Sequence, residues 1–139
     1  MQVRVKWLDH MSFVGESGSG HSVVLDGSPE HGGRNLGVRP MENLLISLGG
    51  CSAFDVILIL KKARQDILDC EVLIDAVRAD AVPAVFSKIN MRFLVTGNSL
   101  SSKRVERAVS LSVEKYCSVA KMLEESVQIT HEVEIIDTA

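Results

Sequence analysis

Aromatic rings are scarce in this chain. One Trp, one Tyr and four Phe make up 4% of its 139 residues, although 46% of the residues are hydrophobic. Its core is therefore aliphatic, and that apolar share argues against a disordered chain. Basic excess is also missing. Fifteen Lys and Arg face eighteen Asp and Glu, for a net charge of −3, and no basic run stands out, so there is no electrostatic footprint for nucleic acid. Three cysteines are too few and too scattered for a disulfide scaffold. The opening stretch MQVRVKWLDH alternates charged and apolar residues and lacks a basic region followed by an apolar core. It does not read as a signal peptide. The expectation is a cytoplasmic protein whose thiols are reduced at rest.

What the chain does have is one concentrated apolar run. Leu44 to Leu60 reads LLISLGGCSAFDVILIL, 17 residues with Asp55 as the one charge. A membrane span needs roughly 20 apolar residues, so the run reads instead as a helix buried on nearly all sides. A single helix of a small monomer rarely finds that much cover, which points to a second subunit.

The length fits one domain, 1–139. Residues 2–8 alternate as a strand, with Val3, Val5 and Trp7 on one side and Arg4 and Lys6 on the other. Residues 12–16 and 21–26 read as a hairpin around Gly18-Ser19-Gly20. A loop from Gly27 to Arg39 shows no periodicity, and loops of that length are often functional. Pro40 suits the first turn of a long helix that runs to about Asp66. Gly49-Gly50 would kink it or admit another backbone. Residues 71–80 and 86–96 read as an antiparallel strand pair. A helix capped by Ser101 or Ser102 follows, with Val105, Ala108, Val109, Ser112 and Val113 on one stripe. A short helix over 119–125 and a last strand over 127–136 complete the chain. The order is β-β-β-α-β-β-α-α-β, an α+β arrangement.

The residues with chemistry are few. No C-x-x-C is present, and His10, His21, His31 and His131 fall in no ligand spacing, so no metal or cofactor is expected. Cys117 opens the short helix after Tyr116, where a helix N-terminus favours the thiolate. Cys51 follows the two glycines, and Cys70 lies at the mouth of a strand. Each could equally be a small buried hydrophobe. Asp55 lies four residues beyond Cys51 on the same helical face. A carboxylate beside a thiol disfavours the thiolate, so Asp55 reads as a buried hydrogen-bonding group or a subunit contact.

Two segments matter together: Pro40-Met41-Glu42-Asn43-Leu44-Leu45 leading to Gly49-Gly50-Cys51-Ser52-Ala53, and Glu114-Lys115-Tyr116-Cys117-Ser118-Val119. This pairing resembles the OsmC/Ohr family of thiol-dependent peroxidases, and within it the short YhfA-type branch, over essentially the whole chain. The resemblance implies an intertwined homodimer in which two sheets wrap central helices. It implies that Cys51 attacks an organic hydroperoxide and becomes a sulfenic acid, and that Cys117 condenses with it to a disulfide. A dithiol or lipoyl-type reductant would reopen that bond. Cys70 has no counterpart in the motif and is expected to be structural.

The chain departs from the family pattern at two points. The family Glu directly after the helix-opening Pro is Met41 here, and Glu42 comes one residue later. Along an unbroken helix the step from 42 to 51 turns through about 900°, which points Glu42 away from Cys51, whereas position 41 lies about 80° from it. The Arg that holds the family thiolate has as candidates Arg34, the better one, and Arg39. A cytoplasmic peroxidase for oxidative-stress defence is the expected function. Its alternative is an OsmC-like redox-sensing or small-electrophile-binding protein with little turnover, or a structural protein with inert thiols.

Overall fold

The structure, a computed structural model describing residues 1–138, follows the expected order of strands and helices. The backbone groups into two compact units, Met1–Ile46 and the chain from Ser47 onward.

In the first unit β1 (Val3–Asp9), β2 (Ser12–Ser17) and β3 (Ser22–Leu25) form an antiparallel meander in sequence order. Gly20, with φ 92°, closes the β2–β3 hairpin, its N–H bonding the Ser17 carbonyl at 3.1 Å. The loop after β3 has no periodicity, yet it is ordered by one carboxylate. Asp26 is 2% exposed and accepts from the Ser12 hydroxyl at 2.8 Å and from the backbone N–H groups of Gly27 at 2.7 Å, Leu36 at 3.1 Å and Arg34 at 3.4 Å. Burial alone would raise its pKa, but these four bonds outweigh it and hold the group at about 2. Gly33 lies so close that a Cβ there would sit 2.0 Å from the Gly27 oxygen. A 3₁₀ turn spans Pro29–His31.

Helix α1 (Pro40–Lys62) starts with Pro at its first position, and the preceding N–H, of Arg39, is taken by Glu42 Oε1 at 2.8 Å. This is one half of a capping box. The helix runs uninterrupted through Gly49-Gly50. It ends four residues earlier than expected, because Arg64 turns left-handed at φ 55° and the Gln65 N–H returns to the Leu60 carbonyl. Strand β4 (Asp66–Arg78) therefore begins well before residue 71, and its ladder with β5 (Phe86–Asn98) opens at the Asp66–Asn98 pair.

From Ser47 onward, β5 is the centre of a second sheet, antiparallel to β4 and parallel to β6 (Gln128–Asp137). Its inward residues Ile89, Met91, Phe93 and Val95 are buried. Helix α2 (Ser102–Leu111) is capped by Ser101, whose hydroxyl accepts from the Arg104 N–H, and it buries Val105, Ala108 and Val109. On α1 every fourth residue, Leu48, Ser52, Val56 and Leu60, is completely buried. A Cβ on Gly49 would touch Ile74 Cδ1 at 3.0 Å, whereas Gly50 faces open space.

The expectation of a helix buried on nearly all sides does not hold within one chain. Phe54 is 71% exposed and Leu58 43%. One stripe of α1 is fully covered, its flanks, including Ala53, Ile57 and Ile59, are partly covered, and Ile46, Phe54 and Leu58 stay exposed. The helix is long and apolar enough to cross a membrane by length and composition alone.

Because Asp26 has a folded pKa near 2, below its ordinary value of 3.8, the unfolded chain binds more protons between those limits. The stability Asp26 contributes is complete above pH 4 and is lost as pH falls through 2. Denaturant unfolding from pH 5 to pH 2 should show this loss. Asp26→Asn should flatten it and speed amide exchange at Arg34 and Leu36.

Candidate functional site

The chemistry gathers where α1 meets the segment between α2 and the short helix α3 (Ser118–Leu123). That segment, Ser112–Tyr116, is a π-helical turn closed by the Cys117 N–H on the Ser112 carbonyl at 2.7 Å. Single π turns inside helical segments are often found at functional sites. Here the wider turn ends the α2 helix and delivers Cys117 in extended conformation, φ −69° and ψ 111°, as the cap of α3. The Cys117 sulfur occupies the place usually held by a capping oxygen and accepts from the Ala120 N–H at 3.4 Å.

Cys117 is fully buried and Cys51 is half-buried, and both are free thiols. Cys51 is a near enough neighbour to act on the Cys117 thiol. The structure thus brings together the two cysteines that the sequence motifs single out. Burial pushes the Cys117 thiol up. The Ser52 hydroxyl and the Ala120 N–H oppose this, and the neighbouring Cys51 thiol adds to it. The expected activation of Cys117 by its helix start is therefore present but outweighed by desolvation.

One buried hydrogen bond holds the two segments in register. Ser112 Oγ donates to the Ser52 carbonyl at 2.8 Å and reaches Asp55 Oδ2 at 3.5 Å. Asp55 is thus a half-buried acceptor at the edge of this cluster. Ser52 itself is 0% exposed, and among the described residues its Oγ is the buried side-chain polar atom without a completed hydrogen bond. Neither serine was a candidate on sequence grounds. Ser112 left a signal, a hydroxyl placed on an otherwise apolar helical stripe. Ser52 left none beyond adjacency to Cys51.

The three supporting candidates have partners of their own within residues 1–46. Arg34 pairs with Asp9 at 3.6 Å. The Arg39 guanidinium donates to Asn35 Oδ1 at 2.8 Å and to the Gly37 carbonyl at 3.2 Å. Glu42 serves the start of α1. Cys70 lies on β4 opposite Val95, where burial and then the Asp69 carboxylate push its thiol up. No group of three or more His, Cys, Asp or Glu among the described residues is arranged to hold a metal.

Comparison with known proteins follows the same line. The sequence pattern of the family described as OsmC-like protein matches residues 32–132. The protein YhfA of Escherichia coli strain K12 is 49% identical over 136 residues, which are 98% of this chain and 98% of that one. Among solved structures, the OsmC-like protein of Mycoplasma pneumoniae superposes with a TM-score of 0.82 at 16% identity, covering 97% of this chain and 96% of that one. The organic hydroperoxide resistance protein OhrB of Bacillus subtilis superposes with a TM-score of 0.63 at 15% identity, covering 96% and 98%.

The Ser112–Ser52 bond can be tested directly. Ser112→Ala should lower stability by about 1 kcal/mol, the net worth of a buried neutral hydrogen bond, as read by urea denaturation of the reduced protein.

Proposed function

The chain belongs to the OsmC-like protein family, and from that premise we propose that it is a cytoplasmic thiol-dependent peroxidase that reduces organic hydroperoxides. The observation that carries this reading is the proximity of a half-buried thiol, Cys51 on α1, to a fully buried one, Cys117 at the cap of α3. The hydroperoxide resistance named for OhrB, a protein of the same fold, supports the substrate class.

The chemistry is a two-electron reduction in three steps. The Cys51 thiolate attacks the terminal oxygen of ROOH, the O–O bond breaks, and RO⁻ leaves to take a proton as the alcohol. Cys51 is then a sulfenic acid. The Cys117 sulfur attacks the Cys51 sulfur, the S–O bond breaks, and the departing oxygen leaves as water with the thiol proton. A dithiol then reduces the disulfide and is itself oxidised. Cys51, the more accessible thiol, meets the peroxide. Cys117 sits sheltered until the sulfenic acid forms.

We further propose that the working unit is a homodimer. Phe54 and Leu58 on α1 and Val3, Val5 and Trp7 on β1 are all exposed in the single chain. Each of these groups, on its own element, is apolar surface that a second copy of the chain would cover.

A second reading is favoured by one observation. Position 41 is Met, and Glu42, Arg34 and Arg39 are engaged with other groups. A protein without the family Arg–Glu pair at its thiol would form the disulfide and turn over slowly, as a redox sensor does.

Loss of an organic hydroperoxide should be followed with dihydrolipoamide as reductant. Wild type should consume peroxide and yield a Cys51–Cys117 disulfide in peptide maps. Cys51→Ser should abolish turnover, and Cys117→Ser should stop at a trappable sulfenic acid. Disulfide without sustained turnover selects the sensor reading. No sulfenic acid and no peroxide loss sink both.

A further inference from the structure

Ser52 presents an energetic problem. A buried hydroxyl without a completed bond costs free energy, and an alanine would fit the same space. Its backbone carbonyl is used by Ser112, and its Oγ is not. Geometry places Ser52 next to the turn that carries Cys117: its carbonyl holds the Ser112 hydroxyl at 2.8 Å, and the Ser112 carbonyl holds the Cys117 N–H at 2.7 Å. From there the Ser52 side chain favours the charged form of Cys117. Natural sequences keep such local costs chiefly at functional sites.

We propose that Ser52 is the hydrogen-bond donor to the Cys117 thiolate, the species shared by closure and reopening of the Cys51–Cys117 disulfide. The proposal rests on the reading that these two cysteines form that bond. In closure, Cys117 must lose its proton inside a desolvated pocket before its electron pair can attack the Cys51 sulfur. In reopening, a dithiol thiolate attacks the Cys51 sulfur and forms a mixed disulfide. The Cys51–Cys117 bond breaks with its electron pair going to Cys117. The second thiol of the reductant then displaces Cys51, and both protein thiolates are reprotonated from solvent. At both points negative charge sits on a fully buried sulfur. In the resting thiol form the sulfur is a weak acceptor, and the Ser52 hydroxyl is left without a completed bond. Once the sulfur is charged, the acceptor becomes strong. The hydroxyl is thus aimed at a state that the reduced protein does not hold.

The backbone N–H of Ala120 already donates to the same sulfur. A second donor from the opposite segment would place the anion between α1 and α3. Better stabilisation of the leaving thiolate speeds thiol–disulfide exchange.

The test uses a disulfide made without peroxide. Diamide takes two electrons and two protons from the thiols and becomes its hydrazine, and peptide mapping identifies the bond. Reduction by dithiothreitol is then timed from pH 6 to pH 9, always against wild type so that the reagent's own ionisation cancels. Ser52→Ala should slow reduction at neutral pH at least about tenfold, the scale of one hydrogen bond to a charged group. The pH dependence of closure should move upward, because one of the groups that lowers the Cys117 pKa is gone. Ser52→Thr, which keeps a hydroxyl, should recover most of the rate. The Tm of reduced Ser52→Ala should be unchanged or higher.

Equal reduction rates in wild type and Ser52→Ala overturn the proposal. So does a lowered Tm with a rate loss that threonine fails to restore, since that is the signature of a packing role. A diamide disulfide in a protein that ignores organic hydroperoxide overturns the peroxidase reading and leaves the Ser52 result standing. Failure of diamide to join Cys51 and Cys117 overturns both.

Discussion

The hydrogen bond from the Ser112 hydroxyl to the Ser52 carbonyl is the constraint on which the candidate site depends. It is buried, so no water competes for either group, and breaking it would leave a stranded hydroxyl in a low-dielectric interior. Ser52 follows Cys51 directly, and the carbonyl of Ser112 closes the π turn that ends at Cys117. One residue therefore ties both cysteine segments together, through its side chain to α1 and through its backbone to Cys117. Ser112 is completely buried, as part of a helical stripe whose Val105, Ala108, Val109 and Val113 are buried too. The scarcity of rings is consistent with such an arrangement, in which small and branched side chains fill the space between a helix and a turn.

Burial divides the work between two otherwise similar thiols. Cys117 is completely enclosed, and desolvation raises its pKa even though the Ala120 N–H donates to its sulfur. A thiol held neutral in this way resists direct oxidation by solvent oxidants, which act on the thiolate. In the proposed mechanism it would act as a nucleophile only toward the neighbouring Cys51 sulfur. Cys51, half-buried, has the access that Cys117 lacks. The order of events in a two-cysteine mechanism can thus be set by exposure.

Much of this was legible in the sequence, for identifiable reasons. The last strand is legible because β6 alternates, as in Ile129, His131, Val133 and Ile135. The cysteine pair was visible through the motifs around Cys51 and Cys117. The errors have physical causes too. The end of α1 was placed too late because Arg64 adopts a left-handed conformation that no glycine announces. Hydrophobicity of the apolar run reports what could be covered, not what one chain covers, which is why the run by itself points beyond a single chain. Asp26 gave no periodic signal. Its role comes from converging backbone N–H groups, which pattern reasoning does not register.

Glu42 shows how one residue of spacing redirects a carboxylate. Directly after a helix-opening proline, a glutamate sits in the second position of the helix. One residue further on it occupies the third, from which it can reach back to the N–H before the proline. Glu42 does so, bonding the Arg39 N–H at 2.8 Å. An anion there is also favoured by the helix dipole. The carboxylate therefore has a structural occupation at the start of α1, and breaking that bond would reopen an unpaired backbone donor. A Met at position 41 adds no charge in its stead. From Ser47 onward, the polar groups gathered around the buried Cys117 turn are the hydroxyls of Ser52 and Ser112 and the Asp55 carboxylate.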